Sequence, residues 1–487
     1  MLRGPIRTHR GSPHCWHARL LLLACLVIAC VGRAEDLEVH SVCNVQEKTP
    51  PYNYELCRDS TGIPFPVSTA ITDAKWISKQ FTPAPTSGDH LQTTWAPDGN
   101  AYVAFDDEIS GSHLYSYVAK VSGIPPNLTF TRRGSLDPVG LYPIGLGLYP
   151  AGRIRHYYME GMTSVNGALY ATRWPYQAGP PLNPAPYWAN TIYPYGIDGI
   201  AYSLNAGVTW ILPPTDRAGY TLPSRRFGPH IDQSGKVVKA PANLVFVQYG
   251  RDAVNPASRG NVNPDDGYIY ATFQERERNA DNIFLGAVNP TSPNDVVNPT
   301  KWIWYKGAGQ WTTPGAYRVN EARPIISWAG KQTVDDSGGH FSYPEMHYDK
   351  AIGRYLLTFS YAYNTRASCT PAPPAPCAHY AKNNPEHPSY SNDGGELVIL
   401  ESPKPWGPFS FVARAKYFGP GNGYSIGIPP VWQGPVRAGT QDVWMKWAAN
   451  YARCTKKVTS HVVCKSTANY TLNLRELRFT LASTRAR

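Results

Sequence analysis

The sequence predicts an all-β protein built as a single five-bladed β-propeller, and three observations predict it. The chain of 487 residues holds 32 Tyr, 14 Trp, 46 Pro and 42 Gly with only 17% charged residues. That profile suits aromatic-rich strands joined by many turns. Long amphipathic helical patterns are absent, while strand pairs recur at intervals of about 60–90 residues, the spacing of repeated sheets. Finally, Tyr202–Trp210 carries the Ser/Asn/Gly/Thr-Trp pattern of a tight hairpin turn between sheet strands.

The chain opens on a targeting signal. Arg3, Arg7, Arg10 and Arg19 precede an apolar run of 12 residues, Leu20–Val31, and Gly32-Arg33-Ala34 supplies small residues for signal peptidase. Twelve residues fall short of the about 20 that a membrane span needs, so residues 1–34 read as a cleaved signal peptide and the protein as secreted. Val27-Ile28-Ala29-Cys30 also resembles a lipobox, which leaves lipid anchoring through Cys30 as the alternative. Six cysteines lie beyond the leader and form three local pairs, Cys43/Cys57, Cys369/Cys377 and Cys454/Cys464. They read as loop staples of an oxidising compartment, although six cysteines permit 15 connectivities. Asn127-Leu128-Thr129 and Asn469-Tyr470-Thr471 are sequons if the source is eukaryotic.

The formal charge of +11 includes five leader arginines and no leader acids, so 41 bases against 35 acids leave +6 beyond residue 34. No basic run interleaves with aromatics, which disfavours a nucleic-acid partner. The aromatic surplus instead suits stacking on sugar faces, and the expected partner is a polysaccharide bound by a monomer without a transmembrane helix.

After a stapled lead-in at residues 35–86, the propeller is expected over residues 87–487, and no Ser/Gly or Pro linker divides it. The first unit starts with a hairpin and continues through Tyr115–Val121 and Leu128–Arg133. The second, Arg155–Pro213, turns at Val165-Asn166-Gly167 and ends in Gly199–Leu212. The third, Phe227–Lys306, contains Leu244–Tyr249, Gly267–Glu275, Ile283–Val288 and Trp302–Lys306. The fourth, Val319–Arg414, contains Phe341–Tyr348, Tyr355–Tyr363, Glu396–Glu401 and Phe409–Val412. The last, Tyr424–Leu481, contains Ile428–Trp432, Val443–Ala448 and Leu472–Leu481. Five units of about four strands make five blades; long inserts in units three and four leave four or six open. The turn at Ser203–Trp210 matches the sialidase-type Asp-box with Asn205 in place of the aspartate. It is a structural device in which a short polar side chain bonds the turn backbone, Gly207 takes the unusual φ and Trp210 packs beneath.

The opening hairpin carries the sharpest chemical signal. His90–Trp95 runs in, Ala96-Pro97-Asp98-Gly99-Asn100 turns, and Ala101–Phe105 alternates outward into Asp106, Asp107 and Glu108. Centring the turn on Asp98 sets Asp89 opposite Asp107. Opposed residues have Cβ atoms about 4.5–5.5 Å apart, where two carboxylates repel by roughly 3 kcal/mol at an effective dielectric of about 20. Such a pair is relieved when one member holds a proton, the state a general acid requires. The plainer reading is two solvated loop acids, or a bulge that shifts the register by one so that they never meet.

In a propeller the mouths of the innermost strands meet at one end of the channel. The further binding candidates are therefore Glu160 and Asp198 from the second unit and Arg251, beside Asp252, from the third. The fourth supplies His340, Tyr343 and Glu345, beside His347, and the fifth Tyr424 and Trp432. No His-Glu-x-x-His, P-loop or dinucleotide fingerprint competes. Two carboxylates with aromatic walls point to glycosidic bond cleavage. No cofactor is expected; a structural calcium in the channel is compatible, although no EF-hand-like ligand series exists.

Gly88-Asp89, Asp98-Gly99-Asn100-Ala101-Tyr102 and Phe105-Asp106-Asp107-Glu108 together resemble the opening blade of glycoside hydrolase family 183, which contains endo-D-arabinanases. The family pattern is Thr-Asp near the start of the first inner strand and Phe-Gly-Asp-Thr at the end of the next. The resemblance implies that Asp89 and Asp107 are the catalytic acids and that furanosidic linkages in an arabinan-type polysaccharide are hydrolysed. Gly88, Asp106 and Glu108 depart from the pattern. Other five-bladed hydrolases, of the arabinanase/xylosidase and levanase types, draw acids from three blades, which keeps Glu160, Asp198 and Glu345 among the candidates. The competing expectation is a non-catalytic glycan-binding or scaffold propeller, in which those departures mark a lost activity.

Overall fold

The computed structural model describes residues 56–482 except 84–85, 87, 111–112, 137–152, 179–196, 198, 216–220, 228–229, 232–236, 240, 254–266, 276–279, 329–340, 363–394, 417–422, 449–452, 459–460 and 467–470. The signal peptide, Cys30, Cys43, Cys369, Cys377, Asp198, His340 and Asn469 lie outside the described residues.

Five antiparallel sheets form the five blades of a β-propeller. The chain begins with β1 (Ile71–Trp76), which is set aside for the last blade. The first blade is β2 (Thr93–Trp95), β3 (Ala101–Ser110), β4 (His113–Ile124) and β5 (Asn127–Arg132). In the second, β6 (Arg153–Tyr158) and β7 (Met162–Val165) lie in succession along one edge of β8 (Ala168–Ala178), with β9 (Gly199–Ser203) on the other. A small hairpin, β10 (His230–Ile231) and β11 (Val237–Lys239), leads to the third blade: β12 (Ala242–Phe246), β13 (Ile269–Gln274), β14 (Asn282–Val288), β15 (Ile303–Gly307), β16 (Gln310–Trp311) and β17 (Ile326–Ser327). The fourth is β18 (Ser342–Asp349), β19 (Arg354–Ala362), β20 (Gly395–Ser402) and β21 (Ser410–Lys416). The fifth holds β22 (Tyr424–Gly427) and β23 (Thr440–Ala448). After an outlying hairpin, β24 (Arg453–Val458) and β25 (His461–Ser466), it takes β26 (Asn473–Leu481) and finally β1.

The strand β1 was not foreseen: the lead-in is part of the ring, pairing Trp76 with Leu477 as the outermost strand of the last blade. The same segment clasps the fourth blade, through paired backbone bonds between Cys57 and Arg414 and an ion pair from Arg414 to Asp59 at 2.5 Å. Cys57 is disulfide-bonded. The backbone of the outlying hairpin sets Cys454 opposite Cys464.

The core lies between blades rather than at one centre. Strand β3 is buried on both faces: Ala101, Val103 and Phe105 pack toward Trp432, Trp444 and Leu474 of the fifth blade. Tyr102 and Ala104 face Met162, Leu169 and Ala171 of the second. The period-2 alternation thus serves two interfaces, as in any strand with packed sheets on either side. The Ser203–Trp210 turn behaves as expected: Ser203 Oγ accepts from Gly207 N at 2.9 Å, Asn205 Oδ1 accepts from Thr209 N at 2.9 Å, and Gly207 has φ +78°.

The innermost strands β2, β6/β7, β12, β18 and β22 surround the axis, and side-chain and backbone bonds tie neighbours among them. Ser164 N donates to Thr94 Oγ1 at 2.9 Å between the first two blades, and Gln248 Nε2 donates to Met162 O at 2.7 Å between the second and third. Gln248 and His347 form a parallel bridge between the third and fourth. Four of these strands share a device. Each begins with a register irregularity that contains a non-glycine residue in the left-handed region: His90 and Leu91 before β2, Asn243 in β12, Tyr343 in β18 and Ser425 in β22. Such conformations cost about 1–3 kcal/mol each and gather where side chains must be aimed.

Candidate functional site

The register of the opening hairpin decides which acids meet. Thr93 faces Val103 and Trp95 faces Ala101, as the turn at Asp98 predicts. Beyond Thr93 the chain bulges: His90 (φ 58°) and Leu91 (φ 34°) are left-handed, and Asp89 pairs with Asp106 instead of Asp107. Both backbone bonds of that bridge are made, Asp89 N to Asp106 O at 2.8 Å and Asp106 N to Asp89 O at 3.0 Å. The expected Asp89/Asp107 opposition is therefore corrected by one residue. Asp107 itself falls in a second irregularity, between Phe105 and Glu108 in the pairing with β4, and its side chain lies outside the described residues. Gly88 explains one departure from the family pattern. It has φ +117°, and a Cβ there would meet Asp106 O at 2.5 Å, so the threonine of the pattern does not fit this register.

Asp106 is wholly buried and aimed at the second blade, where its Oδ2 accepts from Met159 N at 2.8 Å. Burial drives its carboxyl well above the usual range, against the lowering effects of His90 and of a Ser116 hydrogen bond. Glu160, on the short connection between β6 and β7, is also wholly buried and sits 3.1 Å from His90 Nδ1. It reaches that place because Gly161 lets the connection run against the third blade; a Cβ at 161 would lie 2.2 Å from Leu244 O. The other face of the imidazole turns to Asp89, with Nε2 at 3.8 Å from Oδ1. Burial alone would lower the His90 pKa. The charges of Glu160 and Asp89 outweigh it and hold the ring well above its ordinary value.

Three tyrosines wall this cluster. Tyr158 stacks on His90 at 5.4 Å, while Tyr343 and Tyr424 approach edge-on at 5.0 and 6.3 Å. Tyr424 also donates its hydroxyl to Asp89 Oδ2 at 2.6 Å, joining the last blade to the first. Two residues beyond Tyr343, Glu345 stands beside the axial cavity lined by Thr93, Gln248, Met346, His347 and Ile428. Its Oε1 receives Lys446 Nζ and Gln92 Nε2. Burial raises the Glu345 carboxyl against those two partners and lowers the Lys446 ammonium, so the pair is pushed toward its neutral form. Burial likewise lowers His347 to about 3, which leaves it a neutral imidazole on the cavity wall. Among the described residues no group of three His, Cys, Asp or Glu side chains has a metal-binding arrangement.

No known family profile matches the chain, and no curated protein does. Solved structures do. The catalytic domain of a Coprinopsis cinerea family 62 α-L-arabinofuranosidase is similar at 7% identity, with 85% of this chain and 98% of that one covered and a TM-score of 0.37. The α-L-arabinofuranosidase PaAbf62A from Podospora anserina is similar at 9% identity, with 85% and 98% covered and a TM-score of 0.35. A protein of unknown function from Dyadobacter fermentans is similar at 10% identity, with 84% and 100% covered and a TM-score of 0.35.

The residues singled out in the sequence separate into two groups. Asp89, Glu160, Tyr343, Glu345 and Tyr424 converge at one end of the axis. Arg251 does not: it donates to Pro97 O, pinning the turn at the other end of the hairpin. Trp432 does not either; it is buried against Leu91, Phe105 and Trp444 in the core between the fifth and first blades. Asp198 and His340 lie outside the described residues. Reading the sequence missed His90, Asp106 as the inward acid, Tyr158, Gln92 and Lys446. Asp106 was within reach, because the alternation Tyr102, Ala104, Asp106 continues one face of β3; His90 was hidden by the bulge.

Proposed function

We propose that the protein is a secreted glycoside hydrolase that cleaves furanosidic linkages in an arabinan-type polysaccharide. The observation that carries the reading is two carboxyl groups from different blades in opposed electrostatic settings at one channel mouth. Glu345 is raised by burial and stands against the cavity, which suits it to protonate a leaving oxygen. Asp89 lies beside a cationic imidazole and accepts a hydroxyl, which suits it to remain a carboxylate that activates water or attacks the anomeric carbon. The aromatic wall of Tyr158, Tyr343 and Tyr424 suits a sugar ring. The substrate class rests on the resemblance of the opening hairpin to the endo-D-arabinanase family, and secretion on the basic leader with its short apolar run.

The test is release of reducing ends from arabinans, arabinogalactan and fructans by residues 35–487. Arabinan is the expected substrate, and Asp89→Asn and Glu345→Gln should each lower turnover by at least about 10²-fold. Release from none of these polysaccharides refutes the reading. Loss with Asp107→Asn but not with Glu345→Gln would return the second role to the acid that the family pattern points to. One observation favours a binding propeller instead: Asp89 is only 6% exposed and already engaged by Tyr424. Arabinan binding without reducing ends would decide for it.

A further inference from the structure

We propose that His90 is a positioning residue that holds Asp89 in its working orientation by bridging it to Glu160 across the first and second blades. The inference deepens the hydrolase reading and rests on it for the role of Asp89, but its geometry stands independently. His90 occupies a bulge with one residue more than its partner strand: three residues separate Asp89 from Thr93, and two separate Asp106 from Val103. A bulge re-aims a side chain, and here it turns a ring that is only 4% exposed between two carboxyl groups. Left-handed backbone at His90 and Leu91 is a cost that a plain hairpin would not carry.

The ring is fixed on every side. Glu160 Oε1 lies 3.1 Å from Nδ1 and Asp89 Oδ1 lies 3.8 Å from Nε2, both ion-pair contacts. Tyr158 covers one face, and the edges of Tyr343 and Tyr424 close the others. The titratable groups that surround it are Asp89 on its own strand, Asp106 on β3, Glu160 and Tyr158 on the second blade, Glu345 and Tyr343 on the fourth and Tyr424 on the fifth. Lys446 lies behind Glu345. Acids outnumber cations in this shell, and burial raises the Asp106 carboxyl. The His90 ring therefore carries the positive charge that faces the carboxyl groups of both Asp89 and Glu160.

The experiment combines a spectroscopic readout with a kinetic one on residues 35–487. Nitrogen-15 spectra of the histidines, with His90 assigned by its loss in His90→Gln, should show both ring nitrogens protonated at pH 7. Glu160→Gln, which keeps the shape, should release that proton near neutrality, and Asp89→Asn should lower the titration in the same direction. A neutral His90 tautomer at pH 7 overturns the proposal whether or not the protein hydrolyses arabinan. In the kinetics, His90→Gln and Glu160→Gln should cut kcat by about 10²-fold with KM little changed, the loss expected of a misplaced group. The acidic limb of the kcat/KM profile should move up by about 1 pH unit as Asp89 loses a nearby positive charge. A merely structural histidine would lower the melting temperature and leave that limb in place, which also overturns the proposal. If no reducing ends are released at all, the hydrolase reading fails and the nitrogen spectra still decide the bridge.

Discussion

The arrangement around Glu345 can be tested with a single methyl group. Gly427 ends β22 against the Glu345–Lys446 pair, and in Gly427→Ala the new Cβ would lie 2.1 Å from Glu345 Oε2 and 2.9 Å from Lys446 Cε. Ordinary contact begins at 3.4 Å, so the carboxyl has to retreat by the difference, 1.3 Å. Lys446 is wholly buried and also donates to Ser425 O at 2.9 Å, so the pair cannot simply swing aside. A displacement of about 1 Å at a reacting group costs about 10²-fold in rate, or about 2.7 kcal/mol in the barrier. Overpacking costs stability as well, typically about 1–3 kcal/mol. The assay is kcat and KM on arabinan by reducing-end release, beside a calorimetric melt. The expected result is a fall in kcat of about 10²-fold with a lower melting temperature. In a Glu345→Gln background the methyl should add little, because two changes to one functional unit are not additive. Wild-type kcat in Gly427→Ala, or a full further loss on top of Glu345→Gln, would refute the placement of Glu345 at the reacting centre.

Substitutions at two further residues read the buried carboxyls. Burial raises Asp106, so its stabilising contribution is complete below the unfolded value near 3.8 and is lost as pH rises through the folded pKa. Asp106→Asn retains an acceptor for Met159 N–H and should stay within about 1 kcal/mol of wild type, whereas Asp106→Ala strands that donor at about 1–3 kcal/mol in urea denaturation at pH 7. An Asn variant as weak as the Ala variant would mean that Asp106 is ionised in the fold. Asp349, at the far end of β18, is raised by burial from 3.8 to about 6, which corresponds to about 3 kcal/mol lost between those pH values. Asp349→Asn keeps the acceptor for Ala351 N–H and should gain on wild type as pH rises from 4 to 6; melting curves that stay parallel over that range would count against it.

Much of the fold is legible in the sequence because each blade is a run of local strand pairs with its own turn chemistry. Val165-Asn166-Gly167 and Pro97-Asp98-Gly99 turn where those residues demand it, with Gly167 at φ +79° and Gly99 at φ +84°. The closing strand Ile71–Trp76 is not legible that way, because its partner Asn473–Leu481 lies at the other end of the chain and no local signal joins them. At the site, alternation carries the reading as far as Asp106 and then fails. The two bulges around Asp89 and Asp106 hold His90, Leu91 and Asp107 rather than glycine, so nothing in the residue types announces the slip. Glu160, Tyr343, Glu345 and Tyr424 were reachable as residues near the starts of inner strands. Lys446 was not, since it sits mid-strand in β23 and meets Glu345 only once two blades are packed together.

The pairing of β1 with β26 has a consequence for how this protein comes into being. Trp76 meets Leu477, about 400 positions later, yet lengthening a loop costs only about 0.6 kcal/mol per doubling, so equilibrium barely registers the distance. Time does. At about 5–20 residues per second, a ribosome needs tens of seconds to a minute or more to supply the partner. Until then the apolar side of Ala101, Val103 and Phe105 has no neighbour, and β1 is an unpaired edge of the kind that invites aggregation. Tyr424, which touches Asp89, arrives with that same last blade. The nascent chain therefore carries its acids long before it carries a site, and the hydroxyl on Asp89 is put in place only when the ring closes.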